Sequence, residues 1–192
     1  MGRVESVVHP IEPVFNESSR VLVLGTMPSP ASRRAGFYYA HPQNRFWKVL
    51  AALFDEVEPK GTDARAQFAL RHHIALWDVL ASCTIEGASD ASIANPVPND
   101  LERIVRIASI STVFTTGRKA EELFKRYARK MIPEANFVPL PSTSGANARM
   151  SLDTLISAYQ PLLQAVYPGD SGIGEKKPAD SISMQEGQSE EE

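Results

Sequence analysis

Hydrophobic positions along the chain fall into short continuous runs that alternate with segments of helical periodicity. The apolar run at residues 20–24 is bounded by Gly25 and Pro28, which is typical of a buried strand. Residues 45–54 follow with apolar side chains at the spacing of one helix face. The same alternation predicts strands at 73–80, 111–116 and 136–140, helices at 63–71, 100–108, 118–131 and 152–166, and a polar loop at 85–98.

Strands that alternate with helices predict an α/β fold. We expect a three-layer α/β/α sandwich around a central, mainly parallel sheet of four strands, connected by right-handed crossovers. Ligands of such sheets bind at the carboxyl ends of the strands. The loops predicted at those ends are residues 25–47, 82–99, 115–118 and 141–149, and they are rich in Ser, Thr, Asn, Gly and Pro. The sequence therefore predicts a binding site at this edge of the sheet.

Charge is distributed unevenly over the 192 residues, whose net charge is −3. Residues 168–192 contain seven acidic side chains and two lysines, whereas residues 1–167 contain 18 basic and 16 acidic side chains. We expect a single domain over residues 1–167 and an acidic, disordered tail over 168–192. The slightly basic body is compatible with a nucleic-acid partner.

The composition also argues against several classes of protein. No apolar run approaches the roughly 20 residues of a membrane helix, and the first residues lack the plan of a secretory signal. The single cysteine, Cys83, excludes an intramolecular disulfide, and the four histidines are not spaced like zinc ligands. We expect a cytoplasmic monomer that uses neither a metal nor an organic cofactor.

The segment at residues 38–47 carries the most specific chemistry. It combines aromatic rings with an amide, a histidine and an arginine, a mixture that fits a pocket for a flat, hydrogen-bonding ligand such as a nucleobase. His41 is the functional candidate among the histidines, while a structural role is favoured for His72 and His73. Phe46 and Trp47 also fit the core face of the helix that starts here.

Other polar groups have an ordinary alternative. Ser29, Ser142 and Ser144 lie beside prolines in two strand-end loops, where they can contact a backbone phosphate or simply form turns. The basic side chains at residues 118–130 are better explained as a solvated helix face than as a nucleic-acid contact.

Four segments, taken in order, resemble the uracil-DNA glycosylase superfamily and, within it, the hypoxanthine-DNA glycosylase branch. The resemblance spans residues 18–166. The segments are residues 25–29 (GTMPS), 39–47 (YAHPQNRFW), 76–80 (LWDVL) with 87–90 (GASD) and 98–100 (PND), and 140–147 (LPSTSGAN). Two positions differ from many relatives: Met27 replaces a polar residue of the first motif, and Leu140 replaces the residue that opens the second.

The resemblance implies an enzyme that flips a deaminated base out of DNA and hydrolyses its N-glycosidic bond, leaving an abasic site. Hypoxanthine is the expected base. Asn44 is the expected catalytic amide because the hypoxanthine branch also lacks the polar residue that Met27 replaces, and Asn147 is the second catalytic candidate. The expected base-binding residues are Gly25, Thr26, Met27, Tyr39, His41 and Phe46, and the expected contacts to phosphate or duplex are Ser29, Ser142, Ser144 and Arg149.

No lysine falls in these motifs to form a Schiff base, so a monofunctional glycosylase without strand cleavage is expected. Two alternatives stay open at this point. One is a uracil-DNA glycosylase that uses Asn44. The other is a non-catalytic protein that binds damaged or single-stranded nucleic acid.

Overall fold

The computed structural model describes residues 4–87 and 89–169 of the chain. Its strands are β1 (Val4–Val8), β2 (Val21–Gly25), β3 (Ile74–Asp78), β4 (Leu80–Glu86), β5 (Ala94–Pro98), β6 (Thr112–Thr116) and β7 (Asn136–Leu140). Its α-helices are α1 (Pro30–Ala35), α2 (Phe46–Leu53), α3 (Thr62–Arg71), α4 (Glu102–Val105), α5 (Arg118–Leu123), α6 (Leu152–Ala158) and α7 (Gln160–Val166).

The central sheet confirms the predicted parallel core. Its four strands run parallel in the order β3-β2-β6-β7, with Gly25 of β2 opposite Asp78 of β3. Every residue of β2, β3 and β6 is buried, so both faces of these strands are covered. Continuous apolar strands require this arrangement because successive side chains point to opposite faces. The fold is the predicted layered α/β architecture.

A second sheet corrects the prediction of a polar loop at residues 85–98. Strands β1, β4 and β5 form an antiparallel sheet in the order β1-β4-β5. These strands are only partly buried: Val7 is the one buried residue of β1, and β5 has none. Pro96 and Pro98 are tolerated because β5 lies at the edge of the sheet. Half-exposed strands with prolines lack the continuous apolar run on which the prediction relied.

Three predicted helices are shorter or more broken than their periodicity suggested. The predicted helix 118–131 consists of α5, a π-helical segment (Phe124–Ala128) and a 3₁₀ turn (Arg129–Met131). The predicted helix 152–166 is interrupted at Tyr159, because Pro161 has no N–H and clashes with the preceding turn. The predicted helix 100–108 is reduced to α4.

Two further predictions concern the ends and the surface of the chain. The acidic tail was expected from residue 168, and beyond residue 169 it lies outside the described residues. Within the described ranges, no helix has the length and apolar character needed to cross a membrane.

Candidate active site

A cavity of about 800 Å³ opens at the carboxyl ends of the parallel strands, where the topology predicts a ligand site. Six parts of the chain meet around it: the end of β2 with its loop, the aromatic segment, the end of β3, the end of β6, the loop after β7, and the turn that joins β4 to β5. Its lining includes Gly25, Thr26, Met27, Ser29, Tyr39, His41, Gln43, Asn44, Asp78, Gly87, Asp90, Thr116, Ser142, Ser144, Gly145 and Asn147. Most of the predicted site residues therefore lie around one cavity.

The floor of the cavity is formed by Gly25 and Asp78, the last residues of two neighbouring strands. A Cβ atom added to Gly25 would lie 2.2 Å from Oδ1 of Asp78 and 3.6 Å from the hydroxyl of Tyr39. The first distance is far below van der Waals contact. Only glycine therefore leaves room at this position for the Asp78 carboxylate, which explains why the first motif begins with this residue.

Asp78 is paired with His9, the residue that follows β1. Nε2 of His9 lies 2.8 Å from Oδ2 of Asp78, and the two side chains are 3% and 6% exposed. Nδ1 of His9 accepts a hydrogen bond from the backbone N–H of Ile11 at 3.2 Å. Nδ1 therefore carries no proton, and Nε2–H donates to Asp78. Within the described parts of the chain, no group donates a hydrogen bond to Oδ1 of Asp78.

Neither residue of this pair was predicted as part of the site. Asp78 carried a signal, since it is an acidic residue inside the apolar strand predicted at 73–80 and within one of the quoted motifs. His9 carried none, because β1 was not predicted and the two residues are 69 positions apart in sequence.

Asn44 lies at the start of α2 with its amide held in one orientation. Its Oδ1 accepts hydrogen bonds from the backbone N–H of Phe46 and from the hydroxyl of Thr143, each at 2.9 Å. Since the Phe46 N–H can only donate, the oxygen of the amide is identified and the NH₂ group is the other end. No described residue accepts a hydrogen bond from that NH₂ group, and Asn44 lines the cavity.

The loop after β7 is fastened to the aromatic segment by Arg45. Its guanidinium donates to the backbone carbonyls of Ser144 at 3.1 Å, Asn147 at 2.9 Å and Met150. The Asn147 side chain closes the same loop, with Nδ2 donating to the carbonyl of Ser142 at 2.8 Å. The predicted catalytic candidate Asn147 thus has a structural bond on its nitrogen, and its Oδ1 remains as an acceptor.

The serines predicted to contact phosphate all help to form turns. Ser142 and Ser144 each accept a backbone N–H two residues ahead, from Ser144 and Ala146. Ser29 caps α1 by accepting the backbone N–H of Ser32. All three predicted serines also line the cavity, so their turn-forming role leaves them beside any bound ligand.

Tyr39 lines the cavity and packs against Phe46. Tyr39 adopts a left-handed backbone conformation (φ 52°), and its hydroxyl lies 3.1 Å from Oγ1 of Thr116. Burial, with a smaller contribution from the charge of Asp78, raises the pKa of Tyr39, so its phenol stays protonated. Its ring stacks on Phe46 with 3.8 Å between centroids.

The prediction that Phe46 binds the base needs correction. Phe46 is fully buried and is not part of the cavity lining, because it lies on the core face of α2. Its contact with the site is through Tyr39, which it supports from behind.

Thr26 and Asp90 join the two sheets at the cavity wall. The Thr26 hydroxyl lies 3.3 Å from Oδ2 of Asp90, a residue that was not predicted for the site. Although Asp90 is exposed as a residue, its carboxyl faces the cavity. Desolvation of this carboxyl raises the pKa of Asp90, the Asp78 charge adds to that rise, and the Thr26 hydrogen bond opposes it.

The remaining predicted residues lie at the periphery. His41 is exposed, and its Nδ1 accepts the backbone N–H of Gln43 at 3.2 Å. Met27 is half-buried and lines the cavity, where its thioether cannot orient water as a carboxylate or amide would. Arg149 is exposed and lies outside the cavity lining.

In residues 4–87 and 89–169, no group of three His, Cys, Asp or Glu side chains is arranged to hold a metal ion.

Comparison with known proteins identifies relatives over most of the chain. The family model described as the uracil DNA glycosylase superfamily matches residues 12–164. A protein named hypoxanthine DNA glycosylase from Methanosarcina acetivorans is 31% identical over 140 residues, which are 72% of this chain and 87% of the relative. One of the same name from Methanosarcina barkeri is 32% identical over 139 residues, 71% of this chain and 86% of the relative.

A solved structure agrees with these sequence matches. It is the solution NMR structure of a protein from Methanosarcina acetivorans described as a uracil DNA glycosylase. Its TM-score is 0.67 at 28% sequence identity, and the match covers 80% of this chain and 96% of the other.

Proposed function

This chain belongs to the uracil DNA glycosylase superfamily, and from that membership we propose that it is a hypoxanthine-DNA glycosylase. It hydrolyses the N-glycosidic bond of a deaminated base that has been flipped out of DNA, and it leaves an abasic site. The relatives named hypoxanthine DNA glycosylase support the choice of base. The observation that carries the proposal is the amide of Asn44, which is fixed in one orientation and lines the cavity. The first motif, in contrast, contributes Met27 to the cavity where many relatives have a polar side chain.

The geometry of Asn44 suits a group that positions water or the sugar. Because its oxygen is already bonded to Phe46 and Thr143, the amide cannot rotate without losing two hydrogen bonds. Its NH₂ group is therefore presented to the cavity in one direction, as a preorganised donor. Such a donor can hold the oxygen of an attacking water beside the sugar carbon.

The departing base develops negative charge as the glycosidic bond breaks. In hypoxanthine this charge is delocalised onto O6, which makes it a better leaving group than adenine. Residues of the loops after β2 and β7 line the cavity, and backbone N–H groups that such loops leave unpaired are suited to stabilise that oxygen. The described residues that line the cavity include no lysine, which supports hydrolysis without a Schiff base.

The test is a single-turnover assay on duplexes that contain hypoxanthine, xanthine, uracil or a G·T mismatch at one position. We expect the chain to release hypoxanthine faster than uracil and to leave adenine intact. Asn44→Ala should lower the excision rate at least about 100-fold, as removal of a positioned transition-state donor commonly does.

Asn16 offers a matched control for this variant. Its Oδ1 accepts the backbone N–H of Ser18, the same turn that Asn44 forms with Phe46, but Asn16 is not part of the cavity lining. Asn16→Ala should keep the wild-type rate. Near-normal excision by Asn44→Ala would remove Asn44 from the mechanism. Release of uracil without hypoxanthine would identify a uracil-DNA glycosylase, and DNA binding without release of any base would identify a non-catalytic binder.

A further inference from the structure

Asp78 presents one carboxylate oxygen to the cavity while the other is held by His9. We propose that Asp78 is the residue that determines base specificity: its Oδ1 accepts the ring N–H that deamination creates, and His9 is the positioning residue that keeps Asp78 in place. This inference rests on the proposed glycosylase function and concerns how the same cavity recognises its base.

The hydrogen bonds around His9 make Asp78 an acceptor. Because Nδ1 of His9 takes the Ile11 N–H, Nε2 must carry the proton that is donated to Oδ2 of Asp78. A carboxylate that already accepts on one oxygen offers only lone pairs on the other. Oδ1 therefore attracts an N–H group and repels a bare ring nitrogen.

The position of Oδ1 gives it access to a bound base. It lies over Gly25, at a distance where any side chain at that position would collide with it. Asp78 is among the residues that line the cavity, yet its side chain is only 6% exposed. Within the described residues no protein group donates to Oδ1, so its lone pairs are free for a ligand N–H, and a hydrogen bond to a charged acceptor in so enclosed a position is favourable.

Deamination converts a ring nitrogen that accepts hydrogen bonds into an N–H group that donates to such an acceptor. The ring nitrogen N1 is a bare acceptor in adenine and becomes N1–H in hypoxanthine. N3 is likewise bare in cytosine and becomes N3–H in uracil. Guanine and xanthine both carry N1–H. A fixed acceptor therefore separates deaminated adenine and cytosine from their parent bases, whereas it does not separate xanthine from guanine.

The charge of Asp78 assigns it to binding and not to bond cleavage. Negative charge beside a leaving group that becomes anionic opposes its departure, whereas it favours the neutral base that still carries the N–H. Loss of this charge should therefore weaken the choice of base more than it slows excision from the bound complex.

The experiment measures binding preference separately from excision. Duplexes carry 2′-fluoro-deoxyinosine or 2′-fluoro-deoxyadenosine at the same position opposite T, since a 2′-fluorine suppresses glycosidic cleavage. The ratio of the two Kd values, measured by fluorescence anisotropy, is the preference for the deaminated base. Differences in pairing energy between the duplexes cancel when variants are compared, and so does any loss of folded protein.

We expect Asp78→Asn to reduce this preference at least about 10-fold, the usual worth of a hydrogen bond to a charged group. An asparagine can turn either its oxygen or its nitrogen toward the base, so it discriminates less. At saturating enzyme, the excision rate on unmodified deoxyinosine should fall by a smaller factor than the preference.

His9 and a second carboxylate provide the controls. His9→Leu should reduce the preference, whereas His9→Gln, whose amide can donate to Oδ2 as Nε2–H does, should restore most of it. Glu56→Gln alters another histidine-bound carboxylate outside the cavity lining and should change nothing. An unchanged preference in Asp78→Asn, or a wild type without preference, would overturn the inference. Failure of the wild type to excise hypoxanthine from unmodified DNA would instead overturn the proposed function.

Discussion

The described residues contain two pairs of a histidine with a carboxylate, and the difference between them separates a binding group from a structural one. In both pairs, Nε2 of the histidine lies 2.8 Å from a carboxylate oxygen: His9 on Asp78, and His72 on Glu56. The second oxygen of Glu56 accepts a hydrogen bond from Arg71. The second oxygen of Asp78 has no described donor and faces the cavity.

The His72 pair is also more completely enclosed by other protein groups. The His72 ring stacks on Phe54 at 3.8 Å, and its Nδ1 is 3.1 Å from the hydroxyl of Tyr167. This pair joins the ends of α2 and α3 to the residue that follows α7. All of its polar atoms are used within the protein, as expected of a structural group. A carboxylate oxygen left unpaired beside a cavity is the feature that distinguishes the pair at the site.

The largest loss of activity is expected from Gly25→Ala, which disturbs the pair at the cavity and not the pair of His72 with Glu56. The new methyl group cannot coexist with Oδ1 of Asp78 at 2.2 Å, so the carboxylate must leave the position that it holds over residue 25. Displacement of a site group by about 1 Å commonly costs about 100-fold in rate, and we expect such a loss in single-turnover excision of hypoxanthine.

A second substitution can relieve the same collision. In Gly25→Ala combined with Asp78→Ala, the next neighbour of the new methyl is the Tyr39 hydroxyl at 3.6 Å, an ordinary contact. The double variant should bind hypoxanthine-containing DNA better than Gly25→Ala does, without regaining the preference over adenine. If the double variant is no better than the single one, Gly25 acts on the site by some route other than Asp78.

The two sheets differ in how well the sequence predicts them. Strands β2, β3 and β6 are buried along their whole length, so their apolar runs identify them without reference to the rest of the chain. Strands β1 and β5 bury few side chains, and their place is set by pairing with β4, which local patterns do not reveal.

Site residues were likewise predicted where they lie in one local segment and missed where tertiary pairing brings them to the cavity. Asn44 and Tyr39 were predicted because they lie within one dense segment, and both line the cavity. Phe46 in the same segment belongs to the core, since the helical periodicity that begins there decides its direction. His9 follows β1 and meets the site only through Asp78, so no motif around it indicates a site. Asp90 lies within the quoted segment 87–90, but its carboxyl is brought to the cavity by the turn between β4 and β5, which was not predicted.

A smaller effect, on stability alone, is expected from His72→Ala. The ring is buried between Phe54 and Phe68 and bonded on both nitrogens, so its loss leaves a cavity and an unpaired Glu56 oxygen. We expect the free energy of unfolding to fall by about 1–3 kcal/mol. Denaturant titration measures this change, and excision per folded molecule should stay at the wild-type value. A change in base preference would show that the two pairs are coupled.

The smallest effect is the pH dependence that His72 gives to stability. Burial lowers the pKa of His72, and the hydrogen bond that its Nε2–H donates to Glu56 only partly opposes this, so the folded state favours the neutral ring. Its stabilising contribution is complete above the ordinary histidine pKa of about 6.5. As the pH falls from there toward the lower pKa of the folded protein, the unfolded chain takes up the proton first and the contribution is lost.

His72→Phe keeps the stacking and removes this titration. The stability of the wild type relative to His72→Phe should therefore decrease between pH 8 and pH 5 in denaturant titrations. An increase would mean that attraction to Glu56 outweighs burial, and that this pair, like the one at the cavity, depends on its carboxylate.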